Sequence, residues 1–401
     1  VNRIENLRRE IRSLQGEGRG KALLAIATGS FLLIGVKMIY PVLIPELRSS
    51  YGFDLSTAGL LLSLLWVSTA VGQLPGGIIS DRFGEGWTLL MSVVISGVML
   101  VLVISVNTVA ALFALTVLLG LGLSLYGVAR YTAMRDLFPN RVGFSVGIVL
   151  AAADIGQSLL PPIAGFLVVF LSWQFGLGFT LPFFVIAAIA LWAYVPARTS
   201  TSASPIDSLS VAGFRTIFSG MSTPTIMYGT VLFLLFVSLW ISFTSFYPTY
   251  LVEVKSLSST RASLLFGAFF GAGVFVKPLC GAAYDRIGIR PTMLSIALVS
   301  GIALVVFPSV EGTVPILLIT VLVAPILGSG TIVQSHLINA LADEIKGTGL
   351  GVIRTIGLGL ASIIPSIFGA AADRGFFDEG FYALAVLAVL MMVVTTRMPT
   401  N

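Results

Sequence analysis

Five charged side chains interrupt long apolar runs of this sequence: Lys37, Arg130, Asp154, Lys277 and Arg354. In a dry setting such groups can pair with one another, hold an ion or ligand of opposite charge, or pass a proton. Placing each near the middle of a bilayer costs roughly 2.5–3.5 kcal/mol, so they are expected to face a cavity or each other. The rise per residue sets Lys37 about 22 Å and Asp154 about 18 Å above the inner ends of their runs, depths that permit a pair. Lys277 and Arg354 lie about 10–12 Å deep, and Arg130 about 6 Å deep. Arg130 and Lys277 are also placed to snorkel to the inner surface instead. If Lys37 and Asp154 neutralise each other, Arg130, Lys277 and Arg354 remain, and a cavity lined by unpaired cations attracts anions. His336 and Gln334 add polar groups at similar depth. A histidine there can titrate near neutral pH and couple protons, or simply bond a neighbouring helix. Tyr40, Tyr126, Tyr131, Trp240 and Tyr247 are aromatic candidates for lining the cavity, with packing as the alternative.

The elements that must position these groups follow from composition. The chain has 401 residues, 56% apolar and only 10% charged, with mean hydropathy +1.01. A water-facing chain carries about 25% charged residues, so an ordinary soluble enzyme is excluded. A disulfide scaffold is excluded because Cys280 is the sole cysteine, and a metal site is not expected because His336 is the sole histidine. No cofactor is expected, since neither a nucleophile–base pair nor a phosphate-cradling glycine loop with lysine occurs. The net charge of +5 is read as arginines gathered on one membrane face, not as a nucleic-acid footprint.

A bilayer core needs about 20 mostly apolar residues per helix. Stretches of that kind lie near 22–46, 55–79, 87–106, 109–133, 142–170, 175–195, 226–250, 260–284, 291–309, 313–341, 348–372 and 377–397. The fold class is therefore an all-α polytopic membrane protein with 12 transmembrane helices. Residues 1–21 form a basic segment whose Ile4, Leu7, Ile11 and Leu14 make one apolar stripe, suited to resting on the inner leaflet. A polar stretch at 197–225, opening at Arg198 and running past Pro205, reads as a cytoplasmic linker between bundles at 22–196 and 226–401. Basic residues set the orientation. Arg3, Arg8, Arg9, Arg12, Arg19 and Lys21 precede the first span. Arg82, Arg135, Arg141, Arg198, Arg215, Arg286, Arg290, Lys346 and Arg397 fall on the same side, against Arg48, Lys255, Arg261 and Arg374 on the other. That excess puts both termini in the cytoplasm, across the plasma (inner) membrane.

The chain is also a repeat. Gly-Ile-Ile-Ser-Asp-Arg-Phe-Gly at 77–84 returns as Gly-Ala-Ala-Tyr-Asp-Arg-Ile-Gly at 281–288, an offset of 204. Gly143, Gly147, Pro161 and Gly165 return at that offset as Gly347, Gly351, Pro365 and Gly369, and Tyr40, Pro41 and Glu46 return at 207 as Tyr247, Pro248 and Glu253. Parallel repeats of six helices place a site between the halves near mid-membrane. G-x-x-x-G pairs at Gly72/Gly76, Gly143/Gly147, Gly267/Gly271 and Gly347/Gly351 supply small surfaces for close packing.

The G-x-x-x-D-R-x-G loop after the second span and its echo after the eighth resemble the signature of the major facilitator superfamily. Tyr-Gly-Val-Ala-Arg-Tyr at 126–131 and Ala-Leu-Ala-Asp-Glu-Ile-Lys-Gly-Thr-Gly-Leu-Gly at 340–351 resemble archaeal members. The resemblance implies two pseudo-symmetric six-helix bundles whose second, fifth, eighth and eleventh helices meet between halves. It also implies a gate at Gly77, Asp81, Arg82, Gly84, Gly281, Asp285, Arg286, Gly288 and Arg290 that locks the outward-facing state. A plain helix-capping role for Asp81 and Arg82 is the alternative. Glu85 and Gly86 stand where the family has basic residues, and Thr116 where it has an arginine early in the fourth span. The implied function is secondary active transport by rocker-switch alternating access, not enzymatic chemistry. The expected substrate is a small organic or inorganic anion, bound by Lys277, Arg354, Arg130, His336, Tyr40, Tyr126 and Trp240, with Lys37–Asp154 as the coupling pair. Expected partners are that solute, a co-transported ion or proton and membrane lipids, with no nucleic acid, in a monomer. Proton-coupled export of hydrophobic compounds is the alternative, favoured by Pro161-Pro162-x-x-Gly165. A transceptor on a carrier fold is a second.

Overall fold

The computed structural model describes residues 19–199, 223–341 and 346–399. Most of the expected amphipathic N-terminal segment and of the interdomain linker lies outside the described residues. Twelve helices in the described residues are long and apolar enough to cross a membrane. They are α1 Arg19–Tyr51, α2 Leu55–Phe83, α3 Glu85–Ser105, α4 Val109–Leu137, α5 Val142–Phe170, α6 Trp173–Tyr194, α7 Pro224–Glu253, α8 Ser259–Ile287, α9 Ile289–Ser309, α10 Thr313–Ala340, α11 Gly349–Asp373 and α12 Phe377–Arg397. Each coincides with an expected span to within about a residue or extends past it, and α1, α2 and α4 run about a turn further at their C-terminal ends. Asp54, Thr108, Thr223 and Ser258 each cap a helix through a side-chain oxygen that accepts a backbone N–H of the first turn.

The helices form two bundles with separate apolar cores. Leu32, Leu61, Leu89, Leu119, Val149 and Leu191 belong to the first, α1–α6. The second, α7–α12, is strongly aromatic: Phe243, Tyr247, Phe266, Phe307 and Phe381 are all buried. Met38, Val42, Leu55 and Trp66 of the first half pack into this second core, so the halves share apolar surface along part of their length.

The internal repeat is visible in side-chain contacts. Tyr40 and Thr116 share a hydrogen bond at 3.4 Å, and their counterparts Tyr247 and Thr320 share another, all four buried. Thr116, standing where an arginine was expected, is therefore a packing partner of α1. Gly84 and Gly288 join α2 to α3 and α8 to α9 with φ of 98° and 80°, values open to glycine and costly for other residues.

The face holding the start of α1 and the end of α12 is here termed basal, the other distal. At the distal face the halves are tightly closed. A Cβ on Gly369 would collide with Leu55 O, and one on Gly165 with Ser263. Gly165 also lies against Ser259 O, and this contact is the image of Gly369 on Leu55 O under the repeat. Ser63 Oγ bonds Ser366 Oγ at 2.9 Å, and Ser158 Oγ donates to Gly267 O at 3.0 Å. Among the described residues no such closure exists at the basal face. Cβ positions at Gly143, Gly147, Gly281 and Gly351 meet no neighbouring atom of the described residues within 4 Å. The structure is thus open on the basal side. The glycine pairs divide accordingly: Gly267 and Gly271 contact Ser158 across the halves, whereas Gly72 and Gly76 pack on Ser124 and Leu125 of α4 within one half. The expected inter-half role of Gly72/Gly76 is corrected on that account.

Candidate functional site

Counting the rise along each helix from its distal end arranges the intramembrane polar residues in three layers. Trp66, Trp240 and Lys37 lie about 17–21 Å down, Asp154 and Lys277 about 24–27 Å, and Arg354, Arg130 and Gln334 about 29–32 Å. The first layer is where the distal seal ends and the last faces the open basal side.

In the floor layer, α1 brings Lys37 Nζ to 3.3 Å from the Trp66 ring centre of α2, a cation–π contact. Trp66 meets Trp240 of α7 edge-on at 5.0 Å, and Trp240 stacks on Phe236 at 6.3 Å. The indole pair therefore joins the two halves. Lys37 has no ion pair and no hydrogen bond among the described residues, and Trp240 Nε1 is buried without a partner.

The middle layer is an ion pair. Lys277 Nζ of α8 donates to both oxygens of Asp154 of α5, at 2.7 and 2.8 Å, and Gln157 donates to the same carboxylate at 3.2 Å. The expected Lys37–Asp154 pair is not formed. Comparable depth permitted it, but the rotation of α5 turns Asp154 toward α8, while α1 turns Lys37 onto an indole face. Both side chains of the actual pair remain partly exposed, 25% for Lys277 and 16% for Asp154, so they border the cleft and bridge the halves.

The third layer holds the arginines. Arg130 is 7% exposed. Its Nη2 donates to Tyr131 Oη at 3.1 Å, while its Nε is buried without a partner. This burial corrects the snorkelling alternative for Arg130: α4 continues to Leu137 and leaves the guanidinium well inside. Arg354 approaches the same Tyr131 hydroxyl from the second half, and its Nη1 donates to Gln334 Oε1 at 3.1 Å. Arg130 and Gln334 are separated by the repeat offset of 204, so equivalent positions of the two halves carry the polar groups.

The structure moves other expected ligands away from the cleft. Tyr40 and Tyr126 are buried in the first core, bonded to Thr116 and to Ile26 O. Tyr247 is likewise internal to the second core. Packing, the alternative role for aromatics, applies to all three. His336 Nε2 is buried without a partner, and the ring lies against Gly229 of α7, basal to the arginines. Trp66 was missed by the sequence reading, although its central position in the second span, opposite a lysine of the first, was available as a signal.

At the basal loops, Arg198 Nη2 donates to the carbonyls of Asp81 and Arg82, at 3.2 and 2.7 Å. The Asp81 and Arg82 side chains are exposed and form no ion pair among the described residues. Asp285 and Arg286 are exposed as well, and Arg290 Nη2 donates to Met398 O. Gly84 is pressed against Ala197, a Cβ on Gly77 would touch Val128, and Gly281 leaves open space among the described residues. The distal face carries a different set of bonds. Asp373 of α11 accepts from the backbone N–H groups of Leu55 and Ser56 at 2.8 and 2.6 Å. Glu46 accepts from Ser259 Oγ at 2.6 Å, and Arg48 pairs with Glu253. Among the described residues no group of three or more metal-type side chains converges.

Comparison with known proteins agrees with this architecture. Residues 26–365 match the Major Facilitator Superfamily. The probable nitrate/nitrite transporter NarK2 of Mycobacterium tuberculosis is 28% identical over 367 residues, covering 88% of this chain and 90% of that protein. The hexuronate transporter of Bacillus subtilis is 22% identical over 371 residues, 88% of each chain. The inward-open xylose transporter XylE from E. coli superimposes with a TM-score of 0.76 over 94% of this chain and 95% of its own, at 15% identity. A matched family, twelve apolar helices in two repeated bundles and a polar cleft between them leave one conclusion: the chain belongs to the Major Facilitator Superfamily, and is an integral membrane transporter, not an enzyme.

Proposed function

We propose that this transporter is a secondary active carrier of a small organic or inorganic anion, working by rocker-switch alternating access. The observation that supports the reading best is the charge balance of the cleft. Asp154 is engaged by Lys277, which leaves Lys37, Arg130 and Arg354 with no carboxylate partner among the described residues. In a low-dielectric cleft such an excess raises the local concentration of anions and repels cations. The names of the two relatives, one a nitrate/nitrite and one a hexuronate transporter, both denote anions.

In this reading Arg130 and Arg354, held on Tyr131 and Gln334, receive the anion from the basal side. Lys277, expected as a ligand, acts with Asp154 as a coupling bridge that must part or pivot as the halves rock. Asp81 and Arg82 form no ion pair among the described residues of the basal-open state, as fits a lock engaged only when that face closes. The arginine-rich basal face is the cytoplasmic one of the plasma (inner) membrane. The unit is a monomer, with the solute, a co-transported ion or proton and lipids as its partners. Proton-coupled export of hydrophobic compounds asks for a mid-membrane carboxylate free to exchange protons, and Asp154 is bridged.

The test is uptake of labelled nitrate, glucuronate and neutral glucose into proteoliposomes. An anion is expected to enter, glucose to be excluded, and Arg354→Gln or Arg130→Gln to lower anion flux at least tenfold. Glucose flux equal to that of the anions, or anion flux unchanged in both variants, would overturn the reading.

A further inference from the structure

We infer that the deep seat of the cleft is Lys37 together with the indole N–H of Trp240, and that it takes a carboxylate carried on a ring or short carbon skeleton in preference to a bare inorganic oxyanion. This rests on the anion reading above and narrows it.

The inference starts from which donors still lack acceptors. Arg354 has Gln334, Lys277 has Asp154, and Arg130 has Tyr131 at Nη2, its Nε remaining without an acceptor in the arginine layer. Lys37 has no acceptor among the described residues, and Trp240 Nε1 is buried without one. Both residues adjoin Trp66. Lys37 Nζ stands 3.3 Å from the Trp66 ring centre, and the Trp66 and Trp240 rings meet at 5.0 Å. An indole face is a poor substitute for water around an ammonium, and a buried N–H without an acceptor is unfavourable. A ligand that supplies acceptors relieves both at once.

The number and kind of donors then select the ligand. An ammonium and an indole N–H match the two oxygens of one carboxylate. The rest of the floor is Trp66, Trp240 and Phe236, apolar faces against which a carbon skeleton or sugar ring can lie. Nitrate offers three oxygens and no apolar surface, so one oxygen would be stripped of water against indole carbon with nothing in return. Depth agrees: the floor sits about 10 Å beyond the arginines on the way from the basal opening, where the distal seal begins. The arginines attract and admit the anion, and the floor holds it between the halves.

The experiment titrates the detergent-purified full chain with glucuronate, its neutral methyl ester and nitrate. Tryptophan fluorescence and thermal shift are both read. Glucuronate is expected to quench the indole emission and stabilise the fold, at concentrations at least tenfold lower than nitrate. Lys37→Met should weaken glucuronate at least thirtyfold, and Trp240→Phe, which keeps the ring and removes the donor, about tenfold. The wild-type ligand ranking needs no variant and keeps the inference testable if either variant fails to fold. Nitrate bound as tightly as glucuronate overturns the inference and leaves the anion reading intact. So does glucuronate binding that survives Lys37→Met and Trp240→Phe but is lost in Arg354→Gln. Equal binding of the methyl ester, or no response to either anion, overturns both.

Discussion

At the distal end the two halves meet through main chain and small residues, whereas at the basal end they meet through long charged side chains across open space. Gly369 lies against Leu55 O, Gly165 against Ser263, and Ser63 against Ser366. The main-chain contacts of that seam cannot adjust by changing rotamer, and side-chain bonds from Glu46, Arg48 and Asp373 add to them. Toward the basal side the links are Lys277–Asp154 and the approach of Arg354 to Tyr131. Flexible side chains can hold or release such links with little backbone cost. The difference shows how one interface serves a rocking pair: the closed end adds close main-chain packing to its polar bonds, and the open end rests on charged side chains across a cleft.

The comparison can be broken most strongly at Gly369. Gly369→Val forces a side chain into the backbone of α2, and overpacking of this kind costs about 1–3 kcal/mol even where side chains can yield. The distal seal should part, Tm should fall by several degrees and transport should be lost. Gly147→Ala and Gly351→Ala meet no neighbour, so each should change stability by less than about 0.5 kcal/mol. If they nonetheless slow flux, the open end must close on those glycines during the cycle. If Gly369→Val is as mild as Gly147→Ala, the proposed asymmetry is wrong.

Next in size is the charged end. Lys277→Ala strands the Asp154 carboxylate. A fully buried pair would lose 3–5 kcal/mol on such truncation, and partial exposure reduces this to about 1–3 kcal/mol. Thermal unfolding should show the loss, and Lys277→Ala combined with Asp154→Ala should recover part of it. A double variant less stable than the single would remove the pair from the account.

Asp373→Asn sharpens the distal side. It keeps an oxygen for one N–H of α2 but removes the negative charge from a helix N-terminus, worth about 0.5–1 kcal/mol. A cysteine introduced at Ser56 should then react faster with a membrane-impermeant thiol reagent. An unchanged rate would show that shape alone holds the seam.

The smallest effect concerns Asp54, the exposed cap of α2. Hydrogen bonds from Thr57, and then from Ser56, hold its carboxyl below the usual carboxylate range. A depressed folded-state pKa gives stability that is present above the unfolded value, near 4, and is lost as pH falls through the folded value. Between pH 5 and 3 the wild type should therefore lose slightly more Tm than Asp54→Asn, which caps without charge. Parallel curves would assign the cap no pH dependence.

Much of this fold is legible in the sequence because a bilayer demands so little information: length and apolarity give the twelve helices, and the offset of 204 gives the two bundles. The repeat even marks Arg130 and Gln334 as equivalent positions. Partner choice was not legible. Lys37, Asp154 and Lys277 all have depths that would allow pairing, and only the rotation of each helix decides between them. The aromatic residues failed for a related reason. Tyr40 and Tyr126 lie on helices that border the cleft, yet the faces that carry them turn inward to Thr116 and Ile26 O. Trp66, on a helix with little amphipathic contrast, gave no warning that it would carry the lysine.

The bond between Asp373 and the start of α2 has a genetic consequence. Both donors are main-chain N–H groups, which almost any residue supplies. Substitutions at positions 55 and 56 can therefore drift without deleting the donors, provided they are not proline, while a single codon at 373 sets how firmly the distal face is latched. Variation in closing strength among descendants of this sequence should accumulate on one helix and leave the other silent.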